Sequence, residues 1–400
     1  ADQRLAEHVA TMIERAGADI WHTAAAADLL PPETACPTCE RTDFEKERDI
    51  LDVWFDSGVS HAAVLAVRPD QRWPADMYLE GSDQHRGWFH SSLLTAVGTR
   101  GRAPYRAVLT HGFVVDGEGK KMSKSLGNVV APQEVIERYG AEILRLWVAA
   151  EDYRDDIRIS EEILKRLAEG YRRIRNTCRY LLGNLSDFQP AHDALPLNEL
   201  DEIDRFILHR LGRLTERIRR AYETCEFHLL YHSLHNFCAV DLSAFYLDVL
   251  KDRVYTSAPR SRARRAAQTS MYQILDALVR LMAPVLSFTA DEVWQAMPKQ
   301  GGEMESVHLA EFPPIRSSLL DEALEAHWED LLSVRDEVLK ALEAARKAKL
   351  IGTSLEARVD LLVEPTLLPV LTQYEADLPT LFIVSAVSVE SLAGTEAAGK

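Results

Sequence analysis

The segment GEGKKMSKSLGN, residues 117–128, has residue types that suit phosphate chemistry. Three lysines and two serines stand among three glycines, in a chain whose formal net charge is -16. Lysine ammonium groups are compact positive charges that can neutralise a polyphosphate, and glycines let a loop approach a ligand closely. A phosphate-binding loop and a solvent-exposed basic turn are both open on composition alone.

A second segment, YLEGSDQHRGWF at residues 78–89, ends a predicted strand in polar side chains. Glu80 could pair with an ammonium group, and Asp83 could accept hydrogen bonds from sugar hydroxyls. Gly81 lets a flat base approach the backbone, and Gln84 stands at a helix start. The alternative is an ordinary capped turn, because aspartate is a good helix N-cap.

KMSKS, extended by LGN, resembles the signature loop of class I aminoacyl-tRNA synthetases, and the second segment resembles their adenylate-binding segment. The resemblance implies that Lys121 and Lys124 hold the phosphates of ATP during amino-acid activation, with Lys124 as the direct ligand. The residues that it implies for binding the adenylate are Glu80, Gly81, Asp83, Gln84 and Lys124. Mg²⁺ is expected to accompany ATP.

Within that class the sequence is most similar to the isoleucyl-tRNA synthetases, from about residue 10 to about 360, in runs such as LDVWFDSGVSHAAVL and DLSAFYLDVLKDRVY. The implied activity is ligation of isoleucine to tRNA(Ile) with ATP, and Trp54 and Trp88 are implied as walls of the amino-acid pocket. Core packing is the alternative for both indoles. The other functions considered are a valyl- or leucyl-type ligase, a non-catalytic tRNA-binding module and a small adenylyltransferase.

Arginine stripes predict contact with RNA phosphates. Residues 163–182 hold six Lys or Arg against one Glu, which is unusual in an acidic chain. Arginine–glutamate pairs on solvated helix faces are the alternative. The arginines predicted to bind tRNA are Arg172, Arg175, Arg179, Arg210, Arg213 and Arg217.

Cys36 and Cys39 form a single CxxC, which supplies half of a zinc site or belongs to an inert loop. With only five cysteines in 400 residues, a disulfide framework is not expected and the predicted location is the cytoplasm. No apolar run is long enough to predict a membrane span. A monomer is expected.

The elements that must position these residues are a strand ending at Gly81, a helix over residues 83–98 and a β-rich run over residues 105–115. A helix is predicted to start at Pro132, AEILRLWVAA is predicted as another helix, and the helix over residues 207–220 is predicted to carry one apolar face of Ile207, Leu211, Leu214 and Ile218. Together with the resemblance, these elements imply an α/β class I catalytic domain of Rossmann type, represented by its C-terminal half. An all-α anticodon-binding bundle and a small α/β tail are predicted to follow. The predicted boundaries are 1–50 for a remnant of a connective insertion with the CxxC loop, 51–160 for the catalytic part, 161–200 for a helical connector, 201–355 for the bundle and 356–400 for the tail.

The class has a further signature, His-X-Gly-His, whose histidines stabilise the phosphates in the transition state, and these 400 residues contain no such motif. The editing domain of the isoleucyl enzymes also has no counterpart here. We therefore expect that the chain represents part of a longer protein, lacking the N-terminal part of the catalytic domain.

Residues 1–400 alone are accordingly predicted to show no isoleucine-dependent exchange of pyrophosphate into ATP, because half of the phosphate-binding machinery is missing. The assay follows labelled pyrophosphate with and without isoleucine. Robust exchange by the purified chain would contradict the prediction.

Overall fold

The computed structural model describes residues 3–392, and the chain divides into two compact units, Ala1–Thr110 and His111–Lys400. Residues 1–2 of the predicted connective remnant and 393–400 of the predicted tail lie outside the described residues. None of the helices within residues 3–392 combines the length and apolar character that crossing a membrane requires.

The first unit combines short helices with a two-stranded sheet made by strands β1 and β2. Its helices and strands are α1 (Gln3–Ala16), α2 (Ile20–Thr23), α3 (Val53–Gly58), β1 (Ala75–Gly81), α4 (Trp88–Arg100) and β2 (Tyr105–His111). Shorter turns of 3-10 helix lie at Ala26–Leu29 and Ser82–Arg86, and a π-helical turn lies at His61–Leu65.

An aromatic cluster fixes the end of β1 against the start of α4. Tyr78 of β1 is only 3% exposed, and its ring stacks on Trp88 with 4.2 Å between centroids. The Tyr78 hydroxyl shares a hydrogen bond of 3.0 Å with Ser92, and Tyr105 of β2 lies 4.8 Å from Tyr78, centroid to centroid. Because aromatic rings bury large apolar areas, this cluster positions the polar turn between β1 and α4.

The polar turn differs from the single helix that the sequence predicts over residues 83–98. A 3-10 turn ends at Arg86 and α4 begins at Trp88, with Gly87 between them at φ -136° and ψ -119°. Gln84 Oε1 accepts a hydrogen bond from the backbone N–H of Trp88 at 2.9 Å. The one-helix prediction is wrong because the backbone of Gly87 leaves the helical conformation, and the Gln84 side chain accepts the first N–H of α4.

The second unit is mainly helical. Its helices and strands are β3 (Val114–Val115), α5 (Pro132–Tyr139), α6 (Ala141–Ala150), β4 (Ile157–Arg158), α7 (Glu161–Asn184), α8 (Pro190–Asp193), α9 (Glu202–Glu223), α10 (Phe227–Asn236), α11 (Leu247–Val249), α12 (Lys251–Thr256), α13 (Arg262–Met282), α14 (Ser287–Ala296), α15 (Glu322–Lys347), β5 (Arg358–Val363), α16 (Leu368–Gln373), α17 (Leu378–Phe382) and β6 (Ala386–Ser391). A π-helical segment, Phe237–Tyr246, joins α10 to α11, and short 3-10 turns lie at Lys124–Leu126, Leu197–Glu199, Val307–Leu309, Ser317–Leu319 and Ser354–Glu356.

The β-rich run predicted over residues 105–115 is two strands in the structure, because Gly112 interrupts it. A Cβ at Gly112 would lie 2.4 Å from the carbonyl of Asp155, so the backbones approach too closely for any side chain. Beyond this glycine, β3 pairs in parallel with β4, Val114 opposite Ile157. The described strands form three two-stranded pairs, β1–β2, β3–β4 and β5–β6, rather than one continuous sheet.

Helices α7, α9, α10 and α13 share one large apolar core. The apolar face predicted on α9 is confirmed, since Ile207, Leu211, Leu214 and Ile218 are all buried. The small tail is also α/β: β5 and β6 pair in parallel, and α16 and α17 lie between them in the chain.

A buried ionic cluster ties α9 to α12. Asp204 is fully buried and accepts hydrogen bonds from Tyr246, at 2.6 Å, and from Arg253. Arg253 also donates to Asp201 at 2.6 Å. Burial raises the pKa of Asp204, and the Arg253 charge opposes that rise.

We predict that Asp204→Ala lowers the free energy of unfolding by about 3–5 kcal/mol, because it leaves a largely buried guanidinium with one carboxylate partner fewer. Chemical denaturation followed by helical circular dichroism measures the loss. Asp204→Asn keeps an acceptor for Tyr246 and is expected to cost less. Equal stability of Asp204→Ala and the unchanged chain would contradict the prediction.

Candidate functional site

In the first unit the polar turn after β1 presents groups that are free to meet a ligand. Glu80 and Asp83 are exposed, and Gly81 is buried with an extended backbone. Within residues 3–392 no hydrogen bond or ion pair engages the Glu80 carboxylate, and Asp83 accepts only one long hydrogen bond, from Gln84 at 3.3 Å. Two carboxylates without cationic partners suit an ammonium group and sugar hydroxyls.

Gly87 holds this turn in shape, and the sequence analysis did not single it out. A Cβ at Gly87 would lie 2.7 Å from Gln84 Oε1 and 3.0 Å from the Trp54 ring. Gln84 therefore serves the fold through its bond to the Trp88 backbone, besides any contact with a ligand. The signal in the sequence was a glycine directly before a tryptophan within an otherwise helical pattern.

The two predicted pocket tryptophans meet at this turn but differ in their freedom. Trp54 is 45% exposed and packs over Gly87. Trp88 has one ring face covered by Tyr78, and its Nε1–H donates to the carbonyl of Ser57 at 3.0 Å. Trp54 offers the more open surface, whereas Trp88 is partly committed to the core.

In the second unit the lysine loop, residues 116–128, is closed by two side chains. Asn128 Nδ2 donates to Asp116 Oδ2 at 2.9 Å and to the carbonyl of Lys121 at 3.2 Å, while Asn128 Oδ1 accepts from the backbone of Ser123 at 2.9 Å. The other oxygen of Asp116 accepts from the backbones of Glu118 and Lys120, at 3.0 and 2.8 Å. These bonds, that of Asn128 first, lower the pKa of Asp116.

The lysines of the loop fall into two groups. Lys120 pairs with Glu118 at 2.7 Å, whereas the ammonium groups of Lys121 and Lys124 have no ion pair within residues 3–392, and both side chains are exposed. Ser123 caps the turn that begins at Lys124. Asp116 is saturated by neutral donors and so shapes the loop without neutralising the two free lysines.

The predicted tRNA-binding arginines divide in the same way. Arg175 pairs with Glu292 at 2.7 Å, Arg210 with Glu325 at 3.4 Å, and Arg213 with Glu322. For Arg172, Arg179 and Arg217 no carboxylate partner exists among the described residues, and all three are exposed. Binding of RNA by these six residues stays a prediction. Arg172, Arg179 and Arg217 suit it better, because no described carboxylate compensates their charge.

The CxxC loop supplies two thiols and no more. Cys36 is partly exposed and Cys39 exposed, and backbone hydrogen bonds from Thr38 and Cys39 lower the pKa of Cys36. Nowhere in residues 3–392 do three His, Cys, Asp or Glu side chains meet in a group that could hold a metal. Since structural zinc takes four ligands, these residues provide at most half a site.

Two family models match the chain. The model of class I tRNA synthetases (I, L, M and V) matches residues 1–160, and that of the anticodon-binding domain of tRNA ligases matches residues 204–361. The isoleucine–tRNA ligase of Geobacter sulfurreducens is 62% identical over 395 residues, which are 98% of this chain and 42% of the relative. That of Moorella thermoacetica is 52% identical over 382 residues, 96% of this chain and 41% of the relative.

The chain belongs to the class I tRNA synthetase family. The similarity to isoleucyl-tRNA synthetases inferred from the sequence is confirmed, and the chain spans about two fifths of the length of these curated relatives. Among solved structures, the LeuRS–tRNA–LeuAMS complex of Agrobacterium radiobacter K84 matches with a TM-score of 0.55 at 19% identity, over 72% of this chain and 36% of that one.

The methionyl-tRNA synthetase of Mycobacterium tuberculosis, in complex with methionyl-adenylate, matches with a TM-score of 0.52 at 21% identity, over 64% of this chain and 53% of that one. At such identities these two structures support the fold alone. The coarse architecture, a class I synthetase catalytic region followed by an anticodon-binding domain, comes from the two family models.

For this synthetase-family chain we predict that Asn128→Ala frees the lysine loop, because three hydrogen bonds that close it disappear together. Trypsin should cleave after Lys121 and Lys124 about tenfold faster, since proteolysis follows the population of the open segment. Cleavage sites are read by mass spectrometry at early times.

The matched control is Asn198→Ala, a substitution of the same kind outside the loop. It should leave cleavage at the two lysines unchanged. If Asn128→Ala is cut no faster than the unchanged chain, the loop does not depend on this side chain for its shape.

Proposed function

We propose that the protein containing this chain is an isoleucine–tRNA ligase. Such an enzyme forms isoleucyl-adenylate from isoleucine and ATP and then transfers the isoleucyl group to tRNA(Ile). The observation that carries the proposal is the lysine loop, whose two unpaired ammonium groups are exposed on a hydrogen-bonded frame. The 62% identity to an isoleucine–tRNA ligase supports the choice of amino acid.

Activation requires the carboxylate of isoleucine to attack the α-phosphorus of ATP, while the bond to the pyrophosphate leaving group breaks. Negative charge then grows on the β- and γ-phosphates. Lys121 and Lys124 neutralise this charge, and since no described carboxylate pairs with them, their full charge is left for the phosphates. Mg²⁺ is proposed to accompany ATP, where it would supply further positive charge at the same phosphates.

The polar turn holds the rest of the adenylate in this proposal. The Glu80 carboxylate pairs with the α-ammonium group of isoleucine, and Asp83 accepts hydrogen bonds from the ribose. Gly81 lets the adenine approach the backbone, and Gln84 orients the turn. These contacts bind the adenylate without taking part in bond making.

Trp54 and Trp88 are proposed as walls of the isoleucine pocket, with Trp54 giving the open indole face. A hydrophobic slot discriminates a single methylene only weakly, a limit for which isoleucyl-tRNA synthetases are themselves the standard example. Selection against valine therefore needs a separate editing activity, for which this chain offers no candidate.

The tRNA part of the proposal rests on the bundle that follows the catalytic region. The domain boundaries at residues 50, 160, 200 and 355, a Rossmann-type sheet and a monomeric, cytoplasmic protein are kept as proposals from the sequence. Zinc at Cys36 and Cys39 would need two further ligands from outside residues 3–392, and it has no part in the proposed reaction.

A hybrid enzyme tests the proposed function. In this hybrid, the chain replaces the matching two fifths of the Geobacter sulfurreducens isoleucine–tRNA ligase. Because the two sequences are 62% identical, we expect the replaced part to fit the rest of the enzyme. We expect isoleucine-dependent ATP–pyrophosphate exchange and charging of tRNA(Ile). Lys124→Gln in the hybrid should lower kcat for exchange by about 10²–10³, the usual effect of removing one charge-stabilising donor.

Lys120→Gln is the matched control, because Lys120 already pairs with Glu118 and should change kcat less than about twofold. A folded hybrid that prefers valine or leucine would refute the amino-acid assignment. A Lys124→Gln hybrid with unchanged kcat would refute the role given to the loop.

A further inference from the structure

A groove of about 700 Å³ opens between the C-terminal half of α9 and helix α10. We call it the basic groove and define it by six of its lining residues: Arg217, Arg220, Glu226, His232, His235 and Asn236. Two arginines, two histidines and an amide face one carboxylate, so the lining is rich in hydrogen-bond donors and positive charge.

The arginines of the groove differ from their neighbours on the same helix. Earlier in α9, Arg210 and Arg213 pair with glutamates of α15. One and two turns further on, Arg217 and Arg220 are exposed, and neither forms an ion pair with any described carboxylate. Glu226 accepts a hydrogen bond from Thr224 at 2.8 Å and lies beyond ion-pair distance of both arginines. The positive charge of Arg217 and Arg220, at the C-terminal end of α9, is therefore not compensated by any described carboxylate.

Helix α7 brings more positive charge to the same place. Gly170 lets α7 approach α10 closely, since a Cβ there would lie 2.5 Å from the Tyr231 hydroxyl. Burial lowers the pKa of His235, and the charge of Arg173 lowers it further. Arg166 and Arg173 also act on Tyr231, where they oppose the rise in its pKa caused by burial. Their charge therefore reaches the side of α10 that carries His235.

The lining suits a phosphate backbone better than a base. Arginine forks bind phosphate oxygens in pairs, and imidazole and amide N–H groups can donate to phosphates or 2′-hydroxyls. Stacking of splayed bases is served best by Phe, Tyr and Trp, and none of these is among the residues that line the groove. In a chain of net charge -16, such a groove also concentrates the attraction for a polyanion in one place.

We propose that the basic groove binds the sugar–phosphate backbone of tRNA, with Arg217 and Arg220 as its phosphate ligands and His232, His235 and Asn236 as supporting donors. This inference rests on the proposed function, because it takes tRNA as the polyanion. It adds a contact that is independent of base sequence, so cognate and non-cognate tRNA should use the groove alike.

The test measures binding of the hybrid enzyme described above to labelled tRNA(Ile) and to a non-cognate tRNA by fluorescence anisotropy, over a series of salt concentrations. The variant Arg217→Gln/Arg220→Gln should weaken binding to both tRNAs by about tenfold or more. It should also make the slope of log K against log salt shallower by about 1–2, one phosphate for each arginine.

Lys340→Gln/Arg346→Gln is the charge-matched control, because both cations lie on α15 and are already paired, Lys340 with Glu337 at 2.6 Å and Arg346 with Glu343 at 2.5 Å. It should change neither affinity nor slope, and circular dichroism checks that each variant is folded. If the unchanged hybrid binds tRNA while the double variant keeps the same slope, the groove is refuted and the proposed function stands. A loss for tRNA(Ile) alone would refute backbone recognition in favour of base reading. Failure of the unchanged hybrid to bind either tRNA would overturn both proposals.

Discussion

The hydrogen bond from Asn128 to Asp116 closes the lysine loop, and the candidate phosphate site depends on how it does so. A loop that presents free ammonium groups to a ligand needs internal bonds that hold its shape. An ion pair between a lysine and a carboxylate would hold the shape, but it would also neutralise the charge that the ligand requires. Asp116 avoids the conflict because its acceptors are filled by an amide and by backbone N–H groups. Lys121 and Lys124 therefore stay exposed while the backbone beneath them is fixed.

The same competition between internal pairing and ligand binding runs through the helical bundle. Along α9, the glutamates of α15 take Arg210 and Arg213, and these pairs hold two helices together. Arg217 and Arg220 form no ion pair with α15 or with any other described carboxylate, so no neighbour compensates their charge. One helix thus carries arginines with two physical roles, and the position of the partner helix decides which role each one has.

The sequence predicted the parts of this structure that are local. Periodicity and capping residues predicted helices α5, α6 and α9 and the apolar face of α9, and sequence motifs predicted both polar segments. The break at Gly87 was missed, because it depends on the ring of Trp54, more than thirty residues earlier in the chain. Gly112 was missed for the same reason, since its constraint comes from Asp155.

The pairing of the arginines could not be predicted either, because the partners of Arg213 and Arg210 lie more than a hundred residues away in α15. This gives the acidic composition a physical meaning. A net charge of -16 opposes a polyanion at long range, yet much of the acid lies beside arginines that serve the fold. Screening at physiological salt confines the repulsion to about 8 Å, so the few unpaired cations dominate at contact distance. The average charge of such a chain is therefore a poor guide to its partner, and the unpaired cations are a better one.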